Sequence, residues 1–243
     1  MIVAAHQPHY IPWLGYLDKL AKADVFVVMD DLQYEAQNFQ NRQRLRLPDR
    51  AAWLTVPLEH GAQTEPICAK RIDNSGSGKQ HWQRRHWLTV ETNYRRAAHF
   101  ERYADELHAI YTRPWTSLLE LDLHILELAK RWFGITTPIV LSSTLDLQGA
   151  KTERLIDMCH KLGARAYLSG RGGSAGYLDT ELIGRAGVGV IWQWFSPPVH
   201  PQRYPERGFD SHLGFFDLLL NCGEHSADLL FDRGHPARLR RCV

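Results

Sequence analysis

The sequence lacks the residue patterns that identify a redox pair or a metal site. Its four cysteines are Cys68, Cys159, Cys222 and Cys242, and no two of them have CxxC spacing. The absence of CxxC pairs excludes a zinc ribbon and a thioredoxin-type motif. Scattered reduced thiols are typical of a cytosolic protein. The histidines form no HxH, HxxxH or HExxH pattern, so we predict no metal ligands.

Long apolar segments and a strong charge excess are also missing. The most apolar helical segment, residues 115–133, contains Glu120, Asp122, Glu127 and Lys130, which excludes a membrane span. The first ten residues have no basic region and no long apolar stretch, unlike a signal peptide. A formal net charge of only +2 gives no reason to expect nucleic acid as a partner. We therefore expect a cytoplasmic protein.

The sequence does have the length and patterning of an α/β protein. It has 243 residues, of which 44% are hydrophobic and 23% charged, and this length fits a single domain over 1–243. Residues 2–5 and 25–29 are apolar runs, and residues 13–21 between them have helical spacing. This unit predicts two parallel strands joined by a helix, and the alternation returns after residue 139. We predict a Rossmann-like parallel sheet core, with the HUP-type nucleotidyltransferase scaffold as one variant.

The middle of the chain departs from this alternation. Residues 41–47, 53–58 and 67–72 are predicted strands, and residues 75–135 are predicted to be a mainly helical insertion or lobe. A cleft between lobe and core is the expected ligand site. The arginine-rich tail, residues 227–243, is expected to be mobile.

The richest polar motif, HQPHYIPW at residues 6–13, follows the first predicted strand directly. In open α/β sheets ligands bind beyond the carboxyl ends of the strands, and histidine moves protons near neutral pH. We therefore predict His6 and His9 as catalytic groups and Gln7, Tyr10 and Trp13 as substrate contacts. The alternative is a tight turn whose polar groups satisfy the backbone.

Two further motifs are polar. Asp30 and Asp31 end the second predicted strand, where a carboxylate can act as a base or contact a hydroxyl. We predict Asp30 as catalytic and Asp31 as a substrate contact, with an acidic turn as the alternative. Asn41 and Arg42 begin a basic segment in which arginine can pair with phosphate. For the later arginines of that segment, including Arg46, a solvated edge strand is an equally good interpretation.

Glycine-containing loops supply the other predicted contacts. Lys151 and Thr152 open a helix after a glycine, an anion-binding geometry without the P-loop pattern. A second loop follows the predicted strand at 166–168, where glycines allow close backbone approach to a ligand. The remaining predicted substrate contacts are Ser169, Gly170, Arg171, Gly172 and Tyr204.

The opening unit is similar to that of HIGH-type nucleotidyltransferases and aminoacyl-tRNA synthetases, in which a motif on the first helix steadies ATP phosphates. The aligned tetrapeptide here is WLGY at residues 13–16, which keeps only Gly15. Aromatic residues stand in place of the histidines, so the likeness implies an architecture and not that chemistry.

Together these segments resemble the WbqC-like family of bacterial proteins. The resemblance rests on HQPHYIPWLGY at 6–16, VFVVMDD at 25–31, GAKTERLI at 149–156, YLSGRGG at 167–173 and the leucine-rich closing segment, in family order up to about residue 223. Glu206 and Gly214 depart from the family pattern, which has a glutamine and a serine there.

The resemblance implies glycyl, aminoacyl or acyl transfer to an amino sugar, in the synthesis of O-antigen lipopolysaccharide and related surface sugars. It implies a nucleotide-linked amino sugar as the small-molecule partner. An ATP- and Mg²⁺-dependent nucleotidyltransferase or ligase is one alternative, and a non-catalytic nucleotide-sugar binding protein is another.

Overall fold

The computed structural model describes residues 1–62, 64–172, 176 and 178–231. The strands are β1 (Ile2–His6), β2 (Val25–Val28), β3 (Arg42–Arg46), β4 (Ala51–Thr55), β5 (Ile139–Leu141), β6 (Ala166–Ser169) and β7 (Gly189–Trp192). The helices are α1 (Leu14–Lys22), α2 (Trp82–Tyr94), α3 (Phe100–Thr112), α4 (Leu118–Trp132), α5 (Lys151–Lys161), α6 (Thr180–Arg185), α7 (Phe216–Cys222) and α8 (His225–Phe231).

The centre of the fold is a five-stranded sheet in the order β5-β2-β1-β6-β7. Every neighbouring pair in it is parallel. Helix α1 joins β1 to β2, α5 joins β5 to β6, and α6 joins β6 to β7. The predicted α/β class with a parallel, Rossmann-like sheet is confirmed.

Successive residues of a strand point to opposite faces of the sheet, and different helices bury the two faces here. Ala4, Phe26 and Leu168 belong to the larger apolar cluster, which also contains Leu17 and Leu20 of α1. The alternate strand residues belong to a second cluster that contains Leu155 and Met158 of α5; they include Val3, Ala5, Val27 and Tyr167. Burial on both faces explains why these strands are almost wholly apolar.

The predicted helical segment at 75–135 contains α2, α3 and α4. Apolar residues of these helices, among them Val90, Leu107 and Ile125, belong to the same cluster as Phe26 of the central sheet. Helix α4 begins where the Ser117 side chain accepts a hydrogen bond from the Glu120 backbone N–H at 3.3 Å, a normal N-terminal cap. The division of the chain into a core and a lobe stays a prediction.

One predicted strand is wrong. Residues 67–72 contain a 3-10 turn at Ile67–Ala69 instead of a strand. The backbone N–H groups of Ile67 and Cys68 donate to the carbonyls of Leu32 and Asp30, at 2.9 and 2.8 Å. Only isolated bridges form here, at Arg71 and Ile72, because these backbone groups bind the loop after β2 and not a neighbouring strand.

The arginines of β3 have different environments. Arg46 is fully buried, so a solvated edge strand does not describe it. Its guanidinium donates to the carbonyls of Arg203 at 2.5 Å, Tyr204 at 2.8 Å and Gly208 at 2.6 Å, and to Gln202 Oε1 at 3.0 Å. Arg46 therefore fixes the irregular segment 202–208 against the β3–β4 hairpin.

None of the helices in the described part of the chain is long and apolar enough to cross a membrane.

The predicted mobile tail lies only partly within the described residues. Residues 227–231 of this tail lie in α8, and residues 232–243 are outside the described residues.

Candidate functional site

The strand order places a crevice between β1 and β6. After β1 the chain continues to β2 on one side, whereas β6 and β7 lie on the other, so the strand order reverses between β1 and β6. Ligands of open α/β proteins bind in the crevice outside the carboxyl ends of the strands at such a point. The register pairs Ala4 with Leu168 and ends there. His6 and Ser169 are the last residues of their strands at this edge.

Two adjoining cavities open at this edge, and His6 and Trp13 line both of them. The first, of about 450 Å³, is here called the cationic cavity; its walls also include Tyr16, Lys19, Arg171, Gln193, Trp194 and Phe195. The second, of about 690 Å³, is here called the histidine cavity; its walls also include Gln7, His9, Glu35, Asn38, Phe39 and His212. The cleft is large enough for a small organic ligand with two chemically different parts.

His6 stands between the two cavities as a neutral imidazole. Its Nδ1–H donates to the carbonyl of Gln7 at 3.2 Å, and because a carbonyl only accepts, Nε2 is left as the acceptor nitrogen. Burial and, to a smaller extent, the neighbouring Lys19 ammonium lower the pKa of His6 to about 3. The ring therefore carries no proton on Nε2 at neutral pH.

His9 packs edge-on against His6, with ring centroids 4.6 Å apart. The side chain lies between Tyr16 and Phe39, at centroid distances of 5.2 and 5.5 Å. Its Nδ1 is buried and has no hydrogen-bond partner among the described residues. Burial, together with His6, holds the pKa of His9 well below its ordinary value. Buried polar atoms are normally paired, so the unpaired Nδ1 sets His9 apart among the side chains that line the histidine cavity.

Lys19 lines the cationic cavity, and the sequence analysis did not single it out. It is 2% exposed, and its Nζ donates to the carbonyl of Ala5 at 2.7 Å. The His6 carbonyl accepts from Met29 on the β2 side, so the Ala5 carbonyl points to the β6 side, where the β1–β6 pairing has ended. Burial lowers the pKa of Lys19 to about 7, which puts its protonation within the physiological range.

A buried carboxyl group lies near these rings. Asp122 of α4 is 1% exposed, and neither of its oxygens has a partner among the described residues. Burial raises the pKa of Asp122 well above its ordinary value, and the charge of this group in turn helps to raise the pKa of Tyr16. The Tyr16 hydroxyl is also buried without a described partner.

Seven of the predicted site residues line the cleft. His6, Gln7, His9 and Trp13 reach it from the β1–α1 connection. The other three, which come from the loop after β6, are Gly170, Arg171 and Gly172. Ser169 lies behind them; it is fully buried, and its Oγ donates to the Gly170 carbonyl at 3.3 Å.

The predicted carboxylates Asp30 and Asp31 bind neighbouring protein groups and line neither cavity. Asp30 accepts from the Ser143 backbone N–H at 3.0 Å and from the Ser143 hydroxyl at 2.7 Å. Asp31 forms an ion pair with Arg154 and accepts from the Ser142 hydroxyl. Both carboxylates therefore fix the turn after β5 against the end of β2, and the catalytic role of Asp30 stays a prediction.

Tyr10 belongs to a buried relay outside the cavities. His86 Nε2–H donates to the Thr55 carbonyl at 3.2 Å, so His86 Nδ1 accepts from the Tyr10 hydroxyl at 2.8 Å. The Tyr111 hydroxyl lies 2.9 Å from that of Tyr10. This arrangement joins the β1–α1 connection to α2 and α3.

The remaining predicted contacts also lie outside the two cavities. The Asn41 amide donates to the Val56 carbonyl at 2.8 Å, and the Arg42 guanidinium lies over the Trp53 ring at 4.3 Å. Thr152 Oγ1 accepts from the Asp179 backbone N–H at 2.9 Å, and Lys151 beside it is exposed, with φ at 49°. The Tyr204 hydroxyl donates to Asn93 at 3.1 Å.

Gly15 has a packing role in this structure. A Cβ at this position would come within 2.1 Å of the Trp13 ring, so only glycine lets the indole fold across the start of α1. Trp13 and Tyr16, which replace the histidines of the HIGH pattern, form walls of the cationic cavity.

Gly214 is also constrained by packing, because a Cβ at this position would lie 2.7 Å from Ile11 and Gln43 side-chain atoms. The serine of the family pattern does not fit this packing.

The fold and the cleft define an α/β protein of the Rossmann-like class, with a two-part cleft at the point where the strand order of its parallel sheet reverses. The sequence profile of the WbqC-like protein family matches residues 7–229, and the chain belongs to that family. It is 33% identical over 230 residues to Uncharacterized protein Rv1507c of Mycobacterium tuberculosis, a match that covers 94% of this chain and 96% of that protein. No solved structure matches the chain.

Proposed function

We propose that this protein is a cytoplasmic transferase that moves an aminoacyl (glycyl) or acyl group onto the amine of an amino-sugar nucleotide. Such a reaction belongs to the synthesis of bacterial surface polysaccharides. The observation that carries the proposal is the pair of adjoining cavities that share His6 and Trp13. A two-part substrate can occupy both cavities with its reacting atoms beside the histidines.

The histidine cavity has the groups that amide formation requires. The amine nitrogen attacks the carbonyl carbon of an activated donor, the N–C bond forms, the bond to the leaving group breaks, and the amine loses a proton. His9 lines this cavity and is neutral at pH 7 because its pKa is depressed, so its imidazole can take that proton once attack makes the amine acidic. Glu35 in the same cavity can bind the amine as an ammonium, which gives one proton to solvent before its nitrogen attacks.

The test is a mass-spectrometric search for an N-acylated sugar nucleotide. The purified protein is incubated with nucleotide-linked amino sugars and with acyl or aminoacyl donors, each with and without ATP and Mg²⁺. We expect an N-acyl product, and we expect His9→Asn to lower kcat/KM by about 10²–10⁴-fold, the usual range for loss of an acid–base group. His60→Asn, at an exposed histidine outside the cleft, is the matched control and should retain full activity.

Other outcomes separate the alternatives. Product formation only with ATP, accompanied by pyrophosphate or ADP, would assign a ligase or nucleotidyltransferase. Tight binding of a sugar nucleotide without product from any donor would assign a binding protein. If circular dichroism shows that His9→Asn is folded and the variant still turns over substrate at the normal rate, a group other than His9 accepts the amine proton.

A further inference from the structure

The cationic cavity has an unbalanced charge. Lys19 and Arg171 both line it, and no carboxylate among the described residues does. Its other walls include the aromatic residues Trp13, Trp194 and Phe195. The histidine cavity differs, since its described walls include Glu35 and no lysine or arginine. The two halves of the cleft are therefore suited to ligand parts of opposite charge.

An exposed tryptophan stands in the wall of the cationic cavity. Trp194 is 72% exposed, the highest exposure among the large apolar side chains described, and the Arg171 guanidinium lies over its ring at 4.3 Å. The backbone around it is fixed: Gln193 N–H donates to the Ser169 carbonyl at 2.7 Å, and the Gln193 side chain donates to the Gly15 carbonyl at 2.8 Å. An exposed ring on a fixed backbone is suited to stacking with a planar ligand.

The buried ammonium of Lys19 has no carboxylate to balance it in the described part of the chain. The nearest acidic residue in sequence, Asp18, instead accepts from Lys22 and Gln193, each at 2.8 Å. No ion pair of Lys19 is found among the described residues. A buried charge without a partner is costly, and a bound anion would supply the missing counter-charge.

We propose that the cationic cavity is a nucleoside diphosphate subsite, in which Lys19 and Arg171 hold the phosphates and Trp194 stacks on the base. The histidine cavity then takes the amine-bearing sugar. This inference rests on the proposed function only for its choice of an amino-sugar nucleotide; the diphosphate site itself stands without the transfer reaction.

Binding of the diphosphate has a proton signature. Lys19 lies beside His6 of β1 and over the Tyr167 ring of β6. Tyr16 of α1 and Arg171 of the loop after β6 line the same cavity. Burial holds the pKa of Lys19 at about 7 in the free protein, so the side chain is mainly neutral at pH 8. A diphosphate beside it raises that pKa, and Lys19 takes up a proton as the ligand binds.

The experiment is isothermal titration calorimetry at pH 8, in two buffers with different ionisation enthalpies. The probes are ADP, GDP, UDP and dTDP, with inorganic pyrophosphate and the matching nucleosides as separate arms. At least one nucleoside diphosphate should bind with uptake of close to one proton. Lys19→Met should abolish the uptake and weaken binding about 10- to 100-fold, the range for loss of a hydrogen bond to a charged group.

Two further variants test the other contacts. Arg171→Ala should weaken the diphosphate and pyrophosphate alike, whereas Trp194→Ala should weaken only the nucleotides. Arg113→Ala is the matched control: that guanidinium also lies 4.3 Å from a tryptophan ring, that of Trp115, but lines neither cavity. The affinity of the Arg113→Ala protein for each nucleotide and for pyrophosphate should equal that of the unmodified protein.

The outcomes for the subsite and for the transfer reaction are separable. Nucleotide binding that neither Lys19→Met nor Arg171→Ala weakens overturns the subsite, even if transfer is observed. Pyrophosphate that binds as tightly as every nucleotide also overturns it, since no base is then recognised. Nucleotide binding with proton uptake supports the subsite, even if no donor yields product.

Discussion

Replacing Lys19 with methionine is expected to stabilise the folded protein at pH 7. Burial lowers the pKa of Lys19 from 10.5 to about 7. The folded protein therefore binds the Lys19 proton less strongly than the unfolded chain does, and this difference lowers the free energy of unfolding. Methionine fills a similar volume without charge and loses one hydrogen bond to the Ala5 carbonyl. We expect a net gain on the order of 3 kcal/mol, since each pKa unit corresponds to about 1.4 kcal/mol.

The pH dependence identifies the cause of this gain. The folded pKa lies below the unfolded one, so the penalty is constant below about pH 7 and disappears as pH rises towards the unfolded value. The advantage of Lys19→Met in thermal or urea unfolding should therefore shrink between pH 7 and 10. Lys79→Met, at an exposed lysine, should change stability little at any pH. A Lys19→Met protein that is less stable than the parent at pH 7 would contradict this account.

Replacing Arg46 with leucine is expected to destabilise the protein by about 3–5 kcal/mol, because several acceptors lose their donor together. These acceptors are the carbonyls of Arg203, Tyr204 and Gly208 and the side chain of Gln202. Gln202 also donates to the buried Asp217 at 2.6 Å, so the loss extends to α7. The measurement is urea unfolding followed by tryptophan fluorescence.

Arg44→Leu on the same strand is the matched control for this change. Arg44 is partly exposed and lies 3.7 Å from Asp210, and such surface ion pairs contribute about 0–1 kcal/mol. Equal losses for the two variants would show that Arg46 does not organise segment 202–208.

The sequence predicts the sheet because its signals are local. The β1–α1–β2 unit is contained in residues 2–28, and its apolar runs need no distant partner to be recognised. A second general rule, that ligands of α/β proteins bind beyond the carboxyl ends of the strands, is the basis for predicting His6, His9 and Arg171 as site residues. It also applies to Trp194, since aromatic residues follow β7 in the sequence WQWF at 192–195.

Lys19 and Arg46 could not be placed in this way. Charged residues are normally exposed, and their burial here depends on segments far away in the sequence. Lys19 is buried where α1 meets β1, through its bond to the Ala5 carbonyl, and Gln193 bonds the same helix at Gly15 and Asp18. Arg46 is buried because residues 202–208 fold over it. The strand predicted at 67–72 failed for a similar reason, since its backbone partners are in the loop after β2.

A buried lysine without an ion-pair partner among the described residues is a local conflict that packing alone does not explain. Natural proteins retain such conflicts mainly where function needs them, and stabilising substitutions at these positions commonly reduce activity. The opposite effects expected for Lys19→Met, higher stability and weaker nucleotide binding, are the combination that distinguishes a ligand-binding lysine from a structural one.

The most direct test of the cleft is a two-dimensional ¹H–¹⁵N spectrum of the tryptophan indoles, recorded while the tightest-binding nucleoside diphosphate is added. The account predicts shifts for Trp13 and Trp194, assigned by single substitution. The indoles of Trp82 and Trp115 should stay unshifted, since they donate to Asn74 and to the Ile110 carbonyl away from the cleft. Saturation without a shift of either Trp13 or Trp194 would contradict a nucleotide site between β1 and β6.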